Sequence, residues 1–237
     1  MRISSNKQMC NFLYMKKLLL MLLAMTLCWA EGNAKVNVTE SETTAPEGVE
    51  AVDLGLSVKW ANVNVGAGKP SDFGTYFAWG ETKPKKFYSW DTYMWSRGKT
   101  QFLTKYSTAD RKSQLDASDD AARANWGGDW RMPTDAEFEE LVNPDNCKWE
   151  WTTKDGVNGY KVTGKKTGKS IFLPITGFRF YGGIQFRGIY GIYWTSSLYT
   201  SNPNKAWCLE FRFDDIAVHY GNLASNRFSG RCIRAVK

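Results

Sequence analysis

The sequence predicts an α+β domain, mostly short antiparallel strands with one main helix near 133–143 and long irregular loops. A helix-start signal at Pro133 gives the helix, and alternating apolar and polar segments between residues 148 and 236 give the strands. The 237 residues also include 11 Trp, 11 Tyr and 13 Phe. Such large rings can build a core from short strands and loops, because each buries a large area.

Sequence signals mark both the start and the end of the helix near 133–143. Thr134 and Glu137 have the spacing of a capping box, and Pro133 is tolerated at a helix start. Asn143 precedes a proline, which disfavours helix and ends the element. Its apolar face consists of Phe138, Leu141 and Val142.

The strands are predicted from alternation and from the turn residues between them. They fall at 51–60 (a pair folded about Gly55), 73–80, 148–153, 160–163, 170–174, 193–197, 207–213, 216–220 and 231–236. We expect one or two helical turns at 117–124 and a glycine-aromatic loop over 176–191.

The beginning of the chain has the pattern of an export signal. Met15, Lys16 and Lys17 precede an apolar run over 18–27, which is short for a membrane span of about 20 residues. We therefore predict a signal peptide over 1–34 with its true start at Met15, a flexible linker over 35–50 and a folded domain over 51–237. The expected location is the cell surface or the exterior.

Two other interpretations of the leader stay open. The apolar run can serve as a membrane anchor, and Cys28 can carry a lipid. A lipid site normally has a small residue before the cysteine, whereas this chain has Leu27. A lipid at Cys28 is the one membrane attachment that we retain, as an outer-membrane lipoprotein.

The charge pattern argues against nucleic acid as a partner. The net charge is +7, but basic residues are scattered among acidic ones and form no stripe. Cysteine and histidine residues lack metal-ligand spacing, so the sequence predicts no metal site and no cofactor.

Three cysteines follow the predicted leader, so three disulfide pairings exist. Alternation over 206–213 places Cys208 on the polar face of its strand. We expect a Cys208–Cys232 bridge, and a bridge between Cys147 and Cys232 remains an alternative.

Three segments resemble motifs of two related bacterial families. Trp130-Arg-Met-Pro-Thr-Asp-Ala-Glu137 is similar to the Trp-Arg-Leu-Pro-Thr-x-x-Glu motif shared by the Fibrobacter succinogenes major paralogous domain and the Legionella collagen-like protein C-terminal domain. Residues 193–207 resemble their Trp-Ser-Ser segment, and Arg231-Cys-Ile-Arg234 resembles the ending of the second family. Residues 52–61 and 76–81 resemble the opening of the first.

The resemblance implies a C-type-lectin-like fold in an exported protein. Formylglycine-generating enzymes share that fold and bind copper through two late cysteines, but the rest of their signature is absent here. A shared fold does not transfer function. We therefore expect no enzyme, with a diverged oxidoreductase using Cys208 and Cys232 as an alternative.

Lectins of this fold bind sugars through calcium, which prefers six to eight oxygen ligands. The weak candidates here are Asn202, Asn204, Asp214 and Asp215, and turn chemistry explains all four equally well.

The stronger candidates for a binding surface are aromatic and basic side chains in the 176–191 segment, because aromatic faces stack on sugars and arginine binds sulfate or carboxylate. The candidate residues are Arg179, Tyr181, Gln185, Arg187 and Tyr190, together with Tyr199. The sequence thus predicts a recognition module for glycans or for a host or matrix partner. A structural subunit of a surface complex is the alternative.

Overall fold

The computed structural model describes residues 44–99, 102–219 and 226–237. These residues belong to one compact unit, Glu42–Lys237. The predicted signal peptide over 1–34, its start at Met15 and the lipid site at Cys28 lie outside the described residues. No helix within the described ranges is long and apolar enough to cross a membrane.

The described chain contains two α-helices and ten strands. The helices are α1 (Ala121–Trp126) and α2 (Asp135–Val142). The strands are β1 (Ala51–Val52), β2 (Trp60–Ala61), β3 (Cys147–Lys154), β4 (Val157–Gly164), β5 (Ser170–Pro174), β6 (Phe178–Phe180), β7 (Gly183–Gln185), β8 (Gly191–Leu198), β9 (Ala206–Arg212) and β10 (Asp215–His219). Two 3-10 turns, Trp90–Thr92 and Ala117–Asp119, complete the elements.

The two larger sheets each have three antiparallel strands. One has the order β3-β4-β5, and the other has the order β10-β9-β8. In the second sheet the register shifts between Trp194 and Leu198, so β8 bends where it passes the start of α2. The small pairs β1-β2 and β6-β7 are also antiparallel. The predicted α+β class, with short antiparallel strands and one main helix, is confirmed.

Several local predictions need correction. Residues 73–80 and 231–236 form isolated bridges, such as Phe77 with Arg231, rather than regular strands. The 176–191 segment contains the β6-β7 hairpin instead of a loop without strands. Residues 44–50 were assigned to the linker, but Ala45 and Val49 pack against the core. The folded domain therefore begins before residue 51.

The domain has two hydrophobic cores, and extended segments of the chain run between them. Tyr76 and Ala78 pack into the first core, next to α2 and the β3-β4-β5 sheet, whereas Phe77 and Trp79 pack into the second, next to α1. Side chains alternate across an extended chain, so one segment can serve both cores. The same division separates Tyr193 from Trp194, Cys208 from Leu209 and Cys232 from Ile233.

Three fully buried arginines lie in the last segment of the chain. Arg234 donates to Asn64 Oδ1 at 2.8 Å and to the carbonyls of Ala61 and Phe172 at 3.0 and 2.8 Å. Burial lowers the pKa of Arg234 to about 10. Arg231 instead lies 3.8 Å from the ring centre of Trp194. The Arg234 guanidinium thus links the last segment of the chain to Asn64, to β2 and to β5.

The start of α2 is fixed by a closed set of hydrogen bonds. The Glu137 N–H donates to Thr134 Oγ1 at 3.1 Å, and the Thr134 N–H donates to Glu137 Oε2 at 2.8 Å. Arg131 Nη1 donates to the same carboxylate oxygen at 2.8 Å. Burial raises the pKa of Glu137, but the hydrogen bonds from Arg131 and Thr134 outweigh it and hold the pKa below its usual value.

This corner also binds the Trp-Ser-Ser segment and the end of the chain. Ser196 N–H donates to the Pro133 carbonyl at 2.7 Å, and Ser197 Oγ donates to Asp135 Oδ1 at 2.7 Å. Val236 and Arg131 exchange two main-chain hydrogen bonds, at 2.9 and 3.0 Å. The motif at 130–137, the Trp-Ser-Ser segment and the residue Val236, which follows the third motif, therefore meet at one place.

We expect Thr134→Ala to lower the free energy of unfolding by about 1 kcal/mol, because the Glu137 N–H loses its side-chain acceptor at the helix start. Thr134→Ser keeps the hydroxyl and serves as the control. Urea denaturation of both variants measures the difference. Equal losses in the two variants would show that the hydroxyl contributes nothing.

Candidate binding surface on the β6-β7 hairpin

Main-chain hydrogen bonds hold the β6-β7 hairpin at its turn, along β6 and just before β6. Tyr181 exchanges two hydrogen bonds of 2.9 Å with Tyr88, and Arg179 exchanges two with Gly230, at 2.7 and 2.9 Å. The Gly177 N–H donates to the Tyr190 carbonyl at 2.7 Å. These bonds attach the hairpin to three other parts of the chain, so its backbone position is fixed.

Gly177 is required where the hairpin closes. Its φ is +61°, and a Cβ at this position would lie 2.3 Å from the Gln185 carbonyl oxygen. No side chain fits there without moving backbone atoms. The glycine therefore sets how closely the two ends of the segment approach each other.

The hairpin exposes a group of apolar side chains. Tyr181 is 50% exposed, Phe186 51% and Ile189 55%. Phe87, which is 47% exposed, comes from another segment and lies edge-on to Tyr181 with ring centres 5.5 Å apart. We call these four residues, with Arg179 and Arg187, the hairpin surface. Exposed apolar groups of this kind often mark binding sites.

Two of these aromatic residues have a strained backbone conformation. Tyr181 and Phe186 have φ values of +51° and +53°, a region that residues other than glycine rarely adopt. The two main-chain hydrogen bonds with Tyr88 hold Tyr181 in the hairpin turn. Both side chains are about half exposed in this conformation.

The two arginines of the hairpin surface converge on Tyr76. The Arg179 guanidinium carbon lies 5.7 Å from the centre of the Tyr76 ring, and Arg187 Nη2 donates to Tyr76 Oη at 3.2 Å. Phe73 supports Arg187 from the other side, with the guanidinium carbon 4.6 Å from its ring centre. Neither arginine forms an ion pair with any described carboxylate. The positive charge at this position is therefore not balanced by an ion pair within the described residues.

The structure brings five of the six predicted binding residues together. Arg179, Tyr181, Gln185 and Arg187 lie on the hairpin or directly after it, and Tyr190 packs edge-on to Phe186 with ring centres 5.7 Å apart. Tyr199 lies elsewhere, in the loop before β9. It packs against Trp207 with ring centres 5.7 Å apart.

Sequence reasoning missed Phe87, Phe73 and Tyr76 as parts of this surface. They lie about 90 to 110 positions before the hairpin in the chain, and no local pattern pairs them with it. The one available signal was the close spacing of Tyr88, Trp90, Tyr93 and Trp95, because such spacing is typical of a segment that packs onto a domain through its rings.

The weak calcium candidates do not assemble. Asn202 Oδ1 accepts a hydrogen bond from the Asn204 N–H at 3.2 Å, which is turn chemistry. Asp214 and Asp215 lie beyond β9, next to Arg212 at 3.1 and 4.0 Å. Roughly 20 Å of strand separates the two pairs. Within the described residues, no three acidic, histidine or cysteine side chains are placed to hold a metal.

The predicted disulfides are corrected by the structure. Cys147, Cys208 and Cys232 are buried and are not joined to one another. Cys208 packs in the second core and Cys232 in the first. The two side chains therefore point to opposite sides of the extended segments that carry them. The same placement separates the two cysteines that a copper-binding oxidoreductase would have to bring together.

Burial shields these thiols from solvent, so they lose their protons only at high pH. It raises the pKa of Cys147 to about 11 and the pKa of Cys232 to about 12. In the unfolded chain these thiols have the ordinary pKa of 9.0, so each thiol binds its proton more tightly in the folded state. Their contribution to stability is complete below pH 9 and is lost as the pH rises to 12.

We therefore expect the free energy of unfolding to fall between pH 9 and pH 12. Cys232 contributes on the order of 4 kcal/mol over that range. Cys232→Ala removes the titrating group, so its unfolding free energy should fall less steeply with pH. Denaturant unfolding at several pH values measures both slopes. Identical slopes would contradict the assignment of this titration to Cys232.

Comparison with known proteins gives a family and no individual relative. The family model of the Lcl C-terminal domain matches residues 71–234, which include the start of α2, the β6-β7 hairpin and Arg231. Comparison with curated proteins and with solved structures gave no significant match. The matched region covers more than half of the chain, and the predicted Legionella-type resemblance is confirmed. The chain belongs to the Lcl C-terminal domain family, a bacterial surface or secreted type of domain with a C-type-lectin-like fold.

Proposed function

We propose that this protein is an exported, non-enzymatic recognition module whose hairpin surface binds an acidic glycan. The observation that carries the proposal is the pair Arg179 and Arg187, both placed against Tyr76 without a carboxylate partner among the described residues. Arginine binds carboxylate and sulfate groups through two parallel hydrogen bonds.

The apolar part of the surface suits the rest of such a ligand. Sugar rings have C–H faces that pack on aromatic side chains, and Tyr181 and Phe186 expose about half of their area. Tyrosine also provides a hydroxyl group for hydrogen bonding. Main-chain hydrogen bonds already order the hairpin backbone before binding, which reduces the conformational entropy lost when a ligand binds.

Export is part of the same proposal. The signal pattern over 1–34 supports it. Mass spectrometry of the protein made in its natural host tests this part. A mature chain that starts after Ala30 or Ala34 is expected, and a lipid-modified Cys28 would indicate surface attachment instead.

A glycan array of neutral, carboxylated and sulfated sugars tests binding. We expect acidic glycans to bind, and Arg187→Gln to weaken that binding about tenfold or more, because a charge-assisted hydrogen bond is lost. Arg111→Gln, at an exposed arginine elsewhere, is the matched control and should have no effect. Calcium should make no difference to the signal.

A second pair of variants tests the aromatic part. Tyr181→Ala should weaken the same interaction several-fold, whereas Phe213→Ala, which removes another strongly exposed ring, should not. No acidic glycan bound by the intact protein would overturn the proposal. Equal effects of Arg187→Gln and Arg111→Gln would also overturn the assignment to the hairpin.

An assembly role is the second candidate, and the contact between Phe87 and Tyr181 favours it. Two aromatic rings from distant segments form a continuous exposed apolar area, as many protein interfaces do. Pull-down from the native cell surface distinguishes the two functions. A stoichiometric protein partner that Tyr181→Ala releases, with no glycan bound, would favour assembly.

A further inference from the structure

The Tyr76 hydroxyl links the hairpin surface to the interior of the domain. Tyr76 is 6% exposed, and its Oη donates to the Thr176 carbonyl at 2.6 Å. Thr176 is fully buried, and its Oγ1 accepts a hydrogen bond from the Ile192 N–H of β8 at 3.2 Å. Because the single hydroxyl proton is committed to this carbonyl, the lone pairs of Oη remain to accept a further hydrogen bond. The oxygen is thus an acceptor in a fixed position.

The exposed side chain of Arg187 uses this acceptor. Its Nη2 donates to Tyr76 Oη at 3.2 Å, and its guanidinium carbon lies 4.6 Å from the centre of the Phe73 ring. An exposed arginine without such contacts samples many rotamers, and ordering it when a ligand binds costs conformational entropy. The two contacts therefore restrict the guanidinium before a ligand binds.

The contact with Tyr76 leaves the charge of Arg187 in place. Burial raises the pKa of Tyr76 well above its usual value and raises the pKa of the nearby Cys232 thiol to about 12, so both groups are uncharged at neutral pH. A carboxylate acceptor would have balanced the guanidinium, and Arg187 has no such partner among the described residues. Nη2 belongs to both paired N–H edges of a guanidinium, so the bond to Tyr76 occupies one edge and leaves the other with two parallel donors.

We propose that Tyr76 is the positioning residue of the hairpin surface: its hydroxyl orients Arg187 so that the remaining edge binds one carboxylate or sulfate group of a glycan. This inference rests on the proposed function and adds to it the residue on which the orientation of Arg187 depends. The hydroxyl has this role, and the ring does not. Arg179 contacts only the ring of Tyr76, with its guanidinium carbon 5.7 Å from the ring centre, so Tyr76→Phe keeps that contact.

NMR relaxation of the Arg187 Nε–H group in the ligand-free protein tests the positioning. We expect this group to be rigid in the intact protein and as mobile as that of the exposed Arg97 in Tyr76→Phe, because the guanidinium loses its acceptor. Tyr88→Phe is the matched control, since it removes another buried hydroxyl that donates to a main-chain carbonyl at 2.6 Å, and it should leave Arg187 rigid. Unchanged rigidity of Arg187 in Tyr76→Phe would overturn the proposal, whether or not a glycan binds.

Binding of polygalacturonate, dextran sulfate and uncharged dextran tests the ligand. We expect an acidic polymer to bind, dextran to stay unbound, and Tyr76→Phe to weaken the binding about fivefold, since Arg187 must then be ordered by the ligand. In the Arg187→Gln background Tyr76→Phe should have no further effect, because the hydroxyl acts through Arg187. An equal loss in both backgrounds would overturn the proposal in favour of a general structural role. If neither acidic polymer binds the intact protein, the proposed function is wrong, whereas the mobility of Arg187 still decides the role of Tyr76.

Discussion

The carboxylate of Glu137 is the point on which the domain depends. It accepts hydrogen bonds from Arg131 and from the Thr134 N–H, and so fixes the start of α2. Around that start, the serines of β8 bind Pro133 and Asp135, and the last residues pair with Arg131. Three segments that are far apart in the chain thus meet at one charged, half-buried corner. Short strand pairs are only marginally stable on their own. The hydrogen bonds at this corner therefore add stability that longer sheets supply in other domains. The motif at 130–137 and the Trp-Ser-Ser segment therefore have a structural role at this corner.

The sequence was sufficient for the helix start and most strands, because capping and alternation are local signals. Thr134 and Glu137 could be paired from spacing alone. The two-sided core could not be foreseen, since alternation says that neighbours point apart but not that both directions are buried. For the same reason the expected Cys208–Cys232 bridge failed: Cys208 was assigned to a polar face, but that face is the second core.

The candidate site was foreseen in part. The aromatic and basic content of residues 176–191 drew attention to the correct segment. The hairpin within it was not recognised, because its two strands have three residues each and no tight-turn dipeptide of the usual kind. The contributions of Phe73, Tyr76 and Phe87 depend on tertiary contacts. That Arg179 and Arg187 have no ion-pair partner among the described residues likewise became visible only when each arginine could be checked against its neighbours.

The β6-β7 hairpin is held in place by main-chain groups, which almost every amino acid possesses. The identities of its exposed side chains are therefore largely independent of the scaffold, apart from Gly177 and the two positions with positive φ. Such an arrangement lets substitutions accumulate on the outer face while the fold beneath is preserved. Members of this family could in that way acquire different binding preferences from a common framework, much as antibody loops vary on a constant sandwich.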